Sequence, residues 1–72
     1  MNKINPEKLI NSKWTAQTPR NKEKHFIVTD VEYNEDGEVS RCELEAVLTK
    51  RQQYIDWRVL KDINLWKQGW LC

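Results

Sequence analysis

The chain has 72 residues, of which 12 are Lys or Arg and 11 are Asp or Glu, so its formal net charge is +1. This length suits one hydrophobic core, and we predict a single domain over residues 1–72 with its core at about 6–70. The balanced charge excludes a basic nucleic-acid tail and an acidic disordered segment. The apolar runs fall far short of the about 20 residues that cross a bilayer, and the N-terminus lacks a secretory signal, so we expect a cytoplasmic protein that does not enter membranes.

The first half of the chain predicts a short helix and two strands. Residues 5–10 indicate the helix, because Asn5 can cap it and Pro6 suits its first turn. Residues 13–18 alternate polar with apolar or β-branched side chains and predict the first strand. Residues 25–33 are rich in β-branched and aromatic side chains and predict the second. Its alternation slips near Thr29 and Asp30, which favours a β-bulge or burial on both faces.

The second half predicts two more strands and a second helix. Residues 34–37 form a turn in which Gly37 can adopt positive φ, so strands two and three should make a hairpin. Strand three follows, and its apolar residues at every second position from Cys42 to Leu48 should lie on one face. Residues 54–57 predict a short fourth strand, and Asp56 and Arg58 should form an ion pair beside it. Asp62 is a candidate N-cap and Gly69 a candidate C-cap for a helix over residues 63–68.

Aromatic and sulfur-containing residues are interpreted mainly as structural. Trp14 and Trp57 should serve the core, whereas Trp70 should be partly exposed. Cys42 is expected to be a buried thiol and Cys72 a loose terminal thiol, because the spacing of the two is not that of a zinc framework. We predict no metal and no cofactor.

Charge should be unevenly distributed over the folded chain. In a sheet of consecutive antiparallel strands, the first-to-second and third-to-fourth connections share one end, and the hairpin lies at the other. The shared end would carry one acidic residue, Glu23, and five basic ones: Arg20, Lys22, Lys24, Lys50 and Arg51. The hairpin end would carry four acidic residues: Glu32, Glu35, Asp36 and Glu38. A nearly neutral chain would therefore be electrically polarised.

The sequence favours a binding module over an enzyme. His25 has no serine or cysteine at a suggestive spacing, and the chain has no glycine-rich phosphate loop. The basic end predicts binding of nucleic acid, either RNA or single-stranded DNA, although charged loops are also common on surfaces with no such role. The alternative is a protein-interaction module that uses an aromatic groove formed by Tyr54, Trp57 and Trp70.

Five short motifs occur in order along nearly the whole chain. They are Ser12-Lys13-Trp14-Thr15, Lys24-His25-Phe26-Ile27-Val28, Leu44-Glu45-Ala46-Val47-Leu48, Ile55-Asp56-Trp57-Arg58, and Trp66 with Gly69-Trp70. In this combination the chain resembles a family of small tryptophan-rich bacterial proteins of unknown function. The resemblance implies a stand-alone bacterial protein and brings no substrate, cofactor or catalytic residue with it.

The fold class that follows is mainly β, with minor helical content. We predict a small, strongly bent antiparallel sheet of about four strands with a short helix near each terminus. Two arrangements remain open at this point. The sheet could close like an SH3-type or Tudor-type barrel, or stay open with the terminal helices packed on one face.

Overall fold

The computed structural model describes residues 3–20 and 22–71 of the chain. Five strands form one antiparallel sheet in these residues: β1 (Lys13–Arg20), β2 (Glu23–Tyr33), β3 (Val39–Ala46), β4 (Gln52–Ile55) and β5 (Trp66–Gln68). Across the sheet the order is β4-β3-β2-β1-β5, so β5 returns to the free side of β1. Two short 3-10 helices, Pro6–Lys8 and Trp57–Lys61, precede β1 and follow β4.

The hairpin between β2 and β3 has the local features that the sequence predicts. The side chain of Asn34 accepts hydrogen bonds from the backbone N–H groups of Asp36 and Glu38, both at 3.0 Å. Gly37 has φ +80°, a conformation that a Cβ would penalise. The register of β2 against β3 shifts between Val28 and Asp30, which confirms the bulge.

The third strand is shorter than the alternation predicts. Strand β3 ends at Ala46, and residues 47–49 turn toward β4, so the placement of Leu48 on the core face was wrong. The amide of Lys50 donates to the carbonyl of Ala46 at 2.8 Å, which closes this turn. Leu48 is consequently 68% exposed. Leu48 continues the alternating pattern of β3 although it lies in the turn. Alternation alone therefore does not show where a strand ends.

The fourth strand leads directly into the second 3-10 helix. Trp57 begins this helix, and Asp56 caps it by accepting a hydrogen bond from the backbone N–H of Arg58 at 3.1 Å. The Arg58 guanidinium also donates to the Asp56 carboxylate at 2.8 Å, which confirms the predicted ion pair. These hydrogen bonds, which the carboxylate accepts from Arg58, lower the pKa of Asp56 to about 2.

The predicted C-terminal helix is replaced by a turn and a strand. Asp62 does organise this region, because its carboxylate accepts a hydrogen bond from the backbone N–H of Asn64 at 2.9 Å. The chain then extends as β5, and Trp66 pairs with Ala16 while Gln68 pairs with Trp14. A helix of six residues gains few internal hydrogen bonds, whereas pairing with β1 satisfies the backbone of both strands. Gly69 has the expected positive φ, +82°, but at the end of a strand.

The sheet is open among the described residues, because β4 and β5 lie at its two edges and do not pair with each other. Five strands, rather than about four, build it, and closure into an SH3-type or Tudor-type barrel is not confirmed. The N-terminal helix is a single 3-10 turn, with Asn5 as its cap as expected. In the described part of the chain, no helix is long and apolar enough to cross a membrane.

The inner face of the sheet carries the hydrophobic core. Strand residues Trp14, Phe26, Val28 and Leu44 are buried there, together with Cys42 and Ala46. Two residues from outside the sheet, Leu9 and Leu60, cover this face and are themselves 0% exposed. The core role of Trp14 is confirmed, and the half-buried Trp57 packs against the same cluster. Burial raises the pKa of the Cys42 thiol to about 11, so this cysteine stays protonated at neutral pH.

The outer face is the opposite side of the sheet, and residues 69–71 cross part of it as a C-terminal strap. The hydroxyl of Thr15 donates to the carbonyl of Gly69 at 2.7 Å and accepts from the N–H of Leu71 at 2.9 Å. The indole N–H of Trp70 donates to the carbonyl of Phe26 at 2.9 Å. Polar contacts thus fix the strap, whereas apolar packing covers the inner face. Cys72 lies outside the described residues.

Candidate nucleic-acid interface

The loop end of the sheet consists of the β1–β2 turn with the first residues of β2 (residues 20–24) and the β3–β4 turn (residues 47–51). The two turns lie side by side because β2 and β3 are neighbours, and the N–H of Val47 donates to the carbonyl of His25 at 2.9 Å. The predicted shared end therefore exists. It carries the five basic residues that the sequence analysis grouped: Arg20, Lys22, Lys24, Lys50 and Arg51.

A buried carboxylate joins the two turns of the loop end. Glu23 is only 4% exposed, and the guanidinium of Arg51 donates to it at 2.7 Å and 3.0 Å in a bidentate arrangement. The hydroxyl of Thr49 also donates to this carboxylate. The hydrogen bonds from Arg51 and Thr49 lower the pKa of Glu23, and the same pair raises the pKa of Arg51. The charge of Arg51 is therefore largely compensated by Glu23, and this ion pair holds the two turns together.

The other four basic residues of the loop end form no ion pair among the described residues. Arg20, Lys22 and Lys50 are exposed, and Lys24 is half-buried. With Glu23 neutralised internally by Arg51, no exposed acidic side chain of the two turns opposes these four charges. Excess positive charge in one place attracts polyanions and speeds their association.

Each turn of the loop end holds one lysine in a left-handed backbone conformation. Lys22 has φ +64° in the β1–β2 turn, and Lys50 has φ +62° in the β3–β4 turn. Glycine or asparagine adopts this conformation at lower cost than a lysine. Residues kept in unfavourable backbone regions cluster at functional sites, so both lysines are candidates for a role beyond the turn itself.

An exposed aromatic ring lies on the outer face beside the loop end. Trp70 is 44% exposed, which confirms the expectation of partial exposure. Its ring lies 6.2 Å from the ring of His25, and the ammonium of Lys13 lies 5.2 Å from its centre. The Nε2 of His25 donates to the carbonyl of Leu71 at 2.6 Å, so this histidine helps to fasten the strap. Trp70 thus combines a fixed orientation with neighbouring positive charge.

The three rings of the alternative aromatic groove do not share one surface. Tyr54 is 60% exposed on the outer face of β4, where the guanidinium of Arg41 lies 4.9 Å from its ring centre. Trp57 packs against the core on the inner side, with the ammonium of Lys61 at 4.6 Å from its ring centre. Trp70 lies on the strap over β1 and β2.

Sequence reasoning identified the charges of the loop end and missed the residue that organises them. Glu23 stands in a run of basic and polar residues, and nothing in that run marks a buried carboxylate. Only the pairing of β2 with β3 brings Arg51 and Thr49 to it. The hairpin end carries the four expected acidic residues, of which Glu32 lies 3.8 Å from the guanidinium of Arg41. No group of three or more His, Cys, Asp or Glu in the described ranges could hold a metal ion.

A comparison with protein-family models identifies the family of this chain. A family model described as "Tryptophan-rich protein (DUF2389)" matches residues 12–71, a range that includes all five strands, the strap and the four tryptophans. No curated protein and no solved structure matches the chain.

Proposed function

Because the chain belongs to the tryptophan-rich protein family, which has no assigned activity, we propose a function from its own residues: binding of RNA or single-stranded DNA at the loop end. The observation that carries the proposal is the pair of left-handed lysines, Lys22 and Lys50, in two adjacent turns. Both lysines are exposed, and the nearby carboxylate of Glu23 is already paired with Arg51. Backbone phosphates are the ligand that such a cluster attracts most strongly.

Trp70 supplies the second element of the proposed site. Proteins that bind single strands combine basic side chains for the phosphates with aromatic rings on which bases stack. The Trp70 ring is held by its hydrogen bond to Phe26, lies close to His25 and exposes nearly half of its surface. His25, whose ring lies beside that of Trp70, is only two residues from Glu23 at the β1–β2 turn, so a strand bound at this turn would have a base within reach of the Trp70 ring. The proposal therefore concerns single strands rather than a duplex, in which the bases are already stacked.

The decisive experiment separates stability from binding at the two lysines. Lys22→Gly and Lys50→Gly should each stabilise the fold by about 1 kcal/mol, because glycine accepts positive φ without a Cβ. The same variants should weaken binding of a short mixed-sequence RNA and reduce the slope of log K against log salt by about 0.7 per lost phosphate contact. Fluorescence anisotropy gives the affinity, and urea unfolding gives the stability.

Lys8→Ala is the matched control, because it removes one positive charge from the first 3-10 helix, away from the loop end. It should leave the RNA affinity within about twofold of the original protein. Equal affinity for RNA in the original chain and in the Lys22→Gly and Lys50→Gly variants would contradict the proposal. RNA binding that is undetectable at low salt would also contradict it.

The alternative function, protein interaction through Tyr54, Trp57 and Trp70, has weaker support because these rings lie on different parts of the molecule. It makes a distinct prediction, since binding driven by aromatic burial persists at high salt. A partner whose affinity is insensitive to salt but falls in Tyr54→Ala and Trp70→Ala variants would favour the alternative over the nucleic-acid proposal.

A further inference from the structure

Strand β3 extends beyond its neighbour β4 and leaves a free backbone edge. β3 has eight residues and β4 has four. Their pairing ends where Cys42 meets Ile55, and the chain then leaves the sheet at Asp56 to form the second 3-10 helix. On the β2 side, β3 stays paired as far as Val39. Residues 39–41 therefore have a strand neighbour on one side only among the described residues.

The direction of the backbone groups on this edge follows from the turn that precedes β3. The N–H of Asn34 donates to the carbonyl of Glu38 at 2.8 Å, on the β2 side. Backbone groups alternate between the two sides of a strand. By this alternation, the N–H and C=O of Val39 point toward the side that β4 has left. The pairing of β3 with β2 skips Ser40, which is therefore the extra residue of a bulge. An unpaired edge of this kind is where an additional strand can form hydrogen bonds.

A groove of about 660 Å³ lies along the free edge. Its walls are the start of β3 and the beginning of the second 3-10 helix, and it lies within the size range of about 300–1,000 Å³ typical of ligand clefts. Half-buried apolar side chains line it: Val39, Ile55 and Trp57, with Pro6 at one side. The groove therefore offers backbone hydrogen bonds and apolar contacts together, which is the combination that an extended peptide requires.

The charge at this groove selects the kind of peptide. Two of its charged residues, Asp56 and Arg58, already bond to each other at 2.8 Å. Arg41 is shared between Glu32 and the ring of Tyr54. Glu38, by contrast, lines the groove with a carboxylate that forms no hydrogen bond in the described part of the chain, although it interacts electrostatically with Arg58. Glu35 and Asp36 in the adjoining turn add further negative charge.

We propose that this edge groove binds an extended peptide with basic side chains, which adds to residues 39–41 of β3 as a strand in line with β4. The peptide backbone pairs with Val39, its apolar side chains contact Ile55 and Trp57, and a lysine or arginine lies near Glu38. This site is separate from the loop end, which lies at the opposite end of the sheet and carries the opposite charge. It would serve a protein partner whether or not the loop end binds nucleic acid.

The test is a titration of the full-length, ¹⁵N-labelled chain with an acetylated and amidated pentapeptide of sequence lysine-valine-threonine-valine-lysine. Saturable shifts of the Val39 and Ser40 amides and of the Trp57 indole N–H are expected. Methylation of the central peptide nitrogens should weaken binding about tenfold, because it removes the donors that pair with the β3 edge. Replacement of both lysines by glutamates should also weaken it.

Two variants of the chain complete the test. Glu38→Lys should reduce the affinity for the basic peptide about fivefold, because it replaces the carboxylate with a charge of the same sign as the peptide. Its backbone N–H can still donate to Asn34, so the turn is preserved. Asp30→Lys is the matched control, since it makes the same charge change on an exposed residue of β2, and its affinity should be unchanged.

Three results would overturn the proposal. The first is the absence of saturable shifts up to millimolar concentrations of the basic peptide. The second is equal affinity for the methylated and unmethylated peptides, which would exclude strand addition. The third is a set of shifts centred on the loop end rather than on residues 39–41 and 57, which would place the peptide elsewhere.

Discussion

The two faces of the sheet are covered in different ways. On the inner face, Leu9 and Leu60 complete a core in which every fully buried residue is apolar. On the outer face, a strap of three residues is fastened by hydrogen bonds from or to Thr15, His25 and Phe26. The buried polar side chains, Thr15 and Glu23, lie beneath the strap and at the loop end rather than in the core.

This difference assigns stability mainly to the inner face of the sheet and binding mainly to the outer face. Apolar burial is proportional to area and dominates the free energy of unfolding, so the inner face should account for most of it. Hydrogen bonds that water can replace contribute less, but they fix the orientation of groups such as the Trp70 ring. We therefore expect substitutions on the inner face to lower stability strongly, and those on the outer face to change local order and binding.

The largest effect is expected for Leu60→Ala on the inner face. The leucine is 0% exposed, and its truncation leaves a cavity between the second 3-10 helix and the sheet. The free energy of unfolding should fall by about 3 kcal/mol, measured by urea unfolding. The neighbouring Val59 is 39% exposed, so Val59→Ala should cost clearly less. Similar losses of unfolding free energy for both variants would mean that Leu60 does not cover the core.

A smaller loss is expected for Glu23→Gln, because Arg51 is half exposed and regains water when its partner is lost. The pKa of Glu23 is lowered in the folded chain, so its contribution is complete above its ordinary pKa of 4.5 and disappears as the pH falls through the lowered value. The original chain should therefore lose more stability than Glu23→Gln on acidification. Thermal unfolding between neutral and acidic pH measures the difference, and Glu35→Gln on the hairpin is the control. Parallel pH profiles for Glu23→Gln and the original chain would contradict the assignment.

Thr15→Val should loosen the strap while leaving the core in place. It removes one donor and one acceptor at nearly constant volume, so the free energy of unfolding should fall by about 1 to 2 kcal/mol. The more specific sign is faster hydrogen exchange at the Leu71 amide, with unchanged exchange in β2 and β3. Thr18→Val changes an exposed threonine of the same strand and should leave the Leu71 amide protected. Unaltered exchange in Thr15→Val would show that other contacts hold the strap.

The smallest effect is expected for Asp56→Asn at the start of the second 3-10 helix. Asparagine still caps the helix, so only the exposed ion pair with Arg58 is lost. Because the pKa of Asp56 is lowered from 3.8 to about 2, the stabilisation is present above about 3.8 and disappears as the pH falls toward 2. The unfolding curves of the two proteins should therefore converge near pH 2. A constant difference at every pH would point to a change in the cap instead.

The parts of the fold that the sequence specifies locally were predicted correctly. The turn at residues 34–37, the bulge near Thr29 and the cap at Asn5 depend on residues within a few positions of each other. The placement of the basic residues at one end also followed, because antiparallel connections alternate between ends. Local patterns and strand order are sufficient for these features.

The parts that depend on distant pairing were not predicted. Residues 66–68 carry a helical pattern after Asp62, and they form β5 only because β1 has a free edge. The buried role of Glu23 depends on Thr49 and Arg51, 26 and 28 positions away. The candidate edge groove depends on where β4 ends relative to β3. Each of these features is a property of two segments together.

The hydrogen bond between Thr15 and Gly69, 54 positions apart, has a kinetic consequence. The β2–β3 hairpin can form from neighbouring residues, but β5 and the strap can dock only on a strand that is already in place. Domains dominated by such distant pairings fold slowly compared with those built from local contacts. Refolding followed by the fluorescence of Trp66 and Trp70 should therefore lag behind protection of the β2–β3 hairpin, and the outer face should be the last part of the molecule to form.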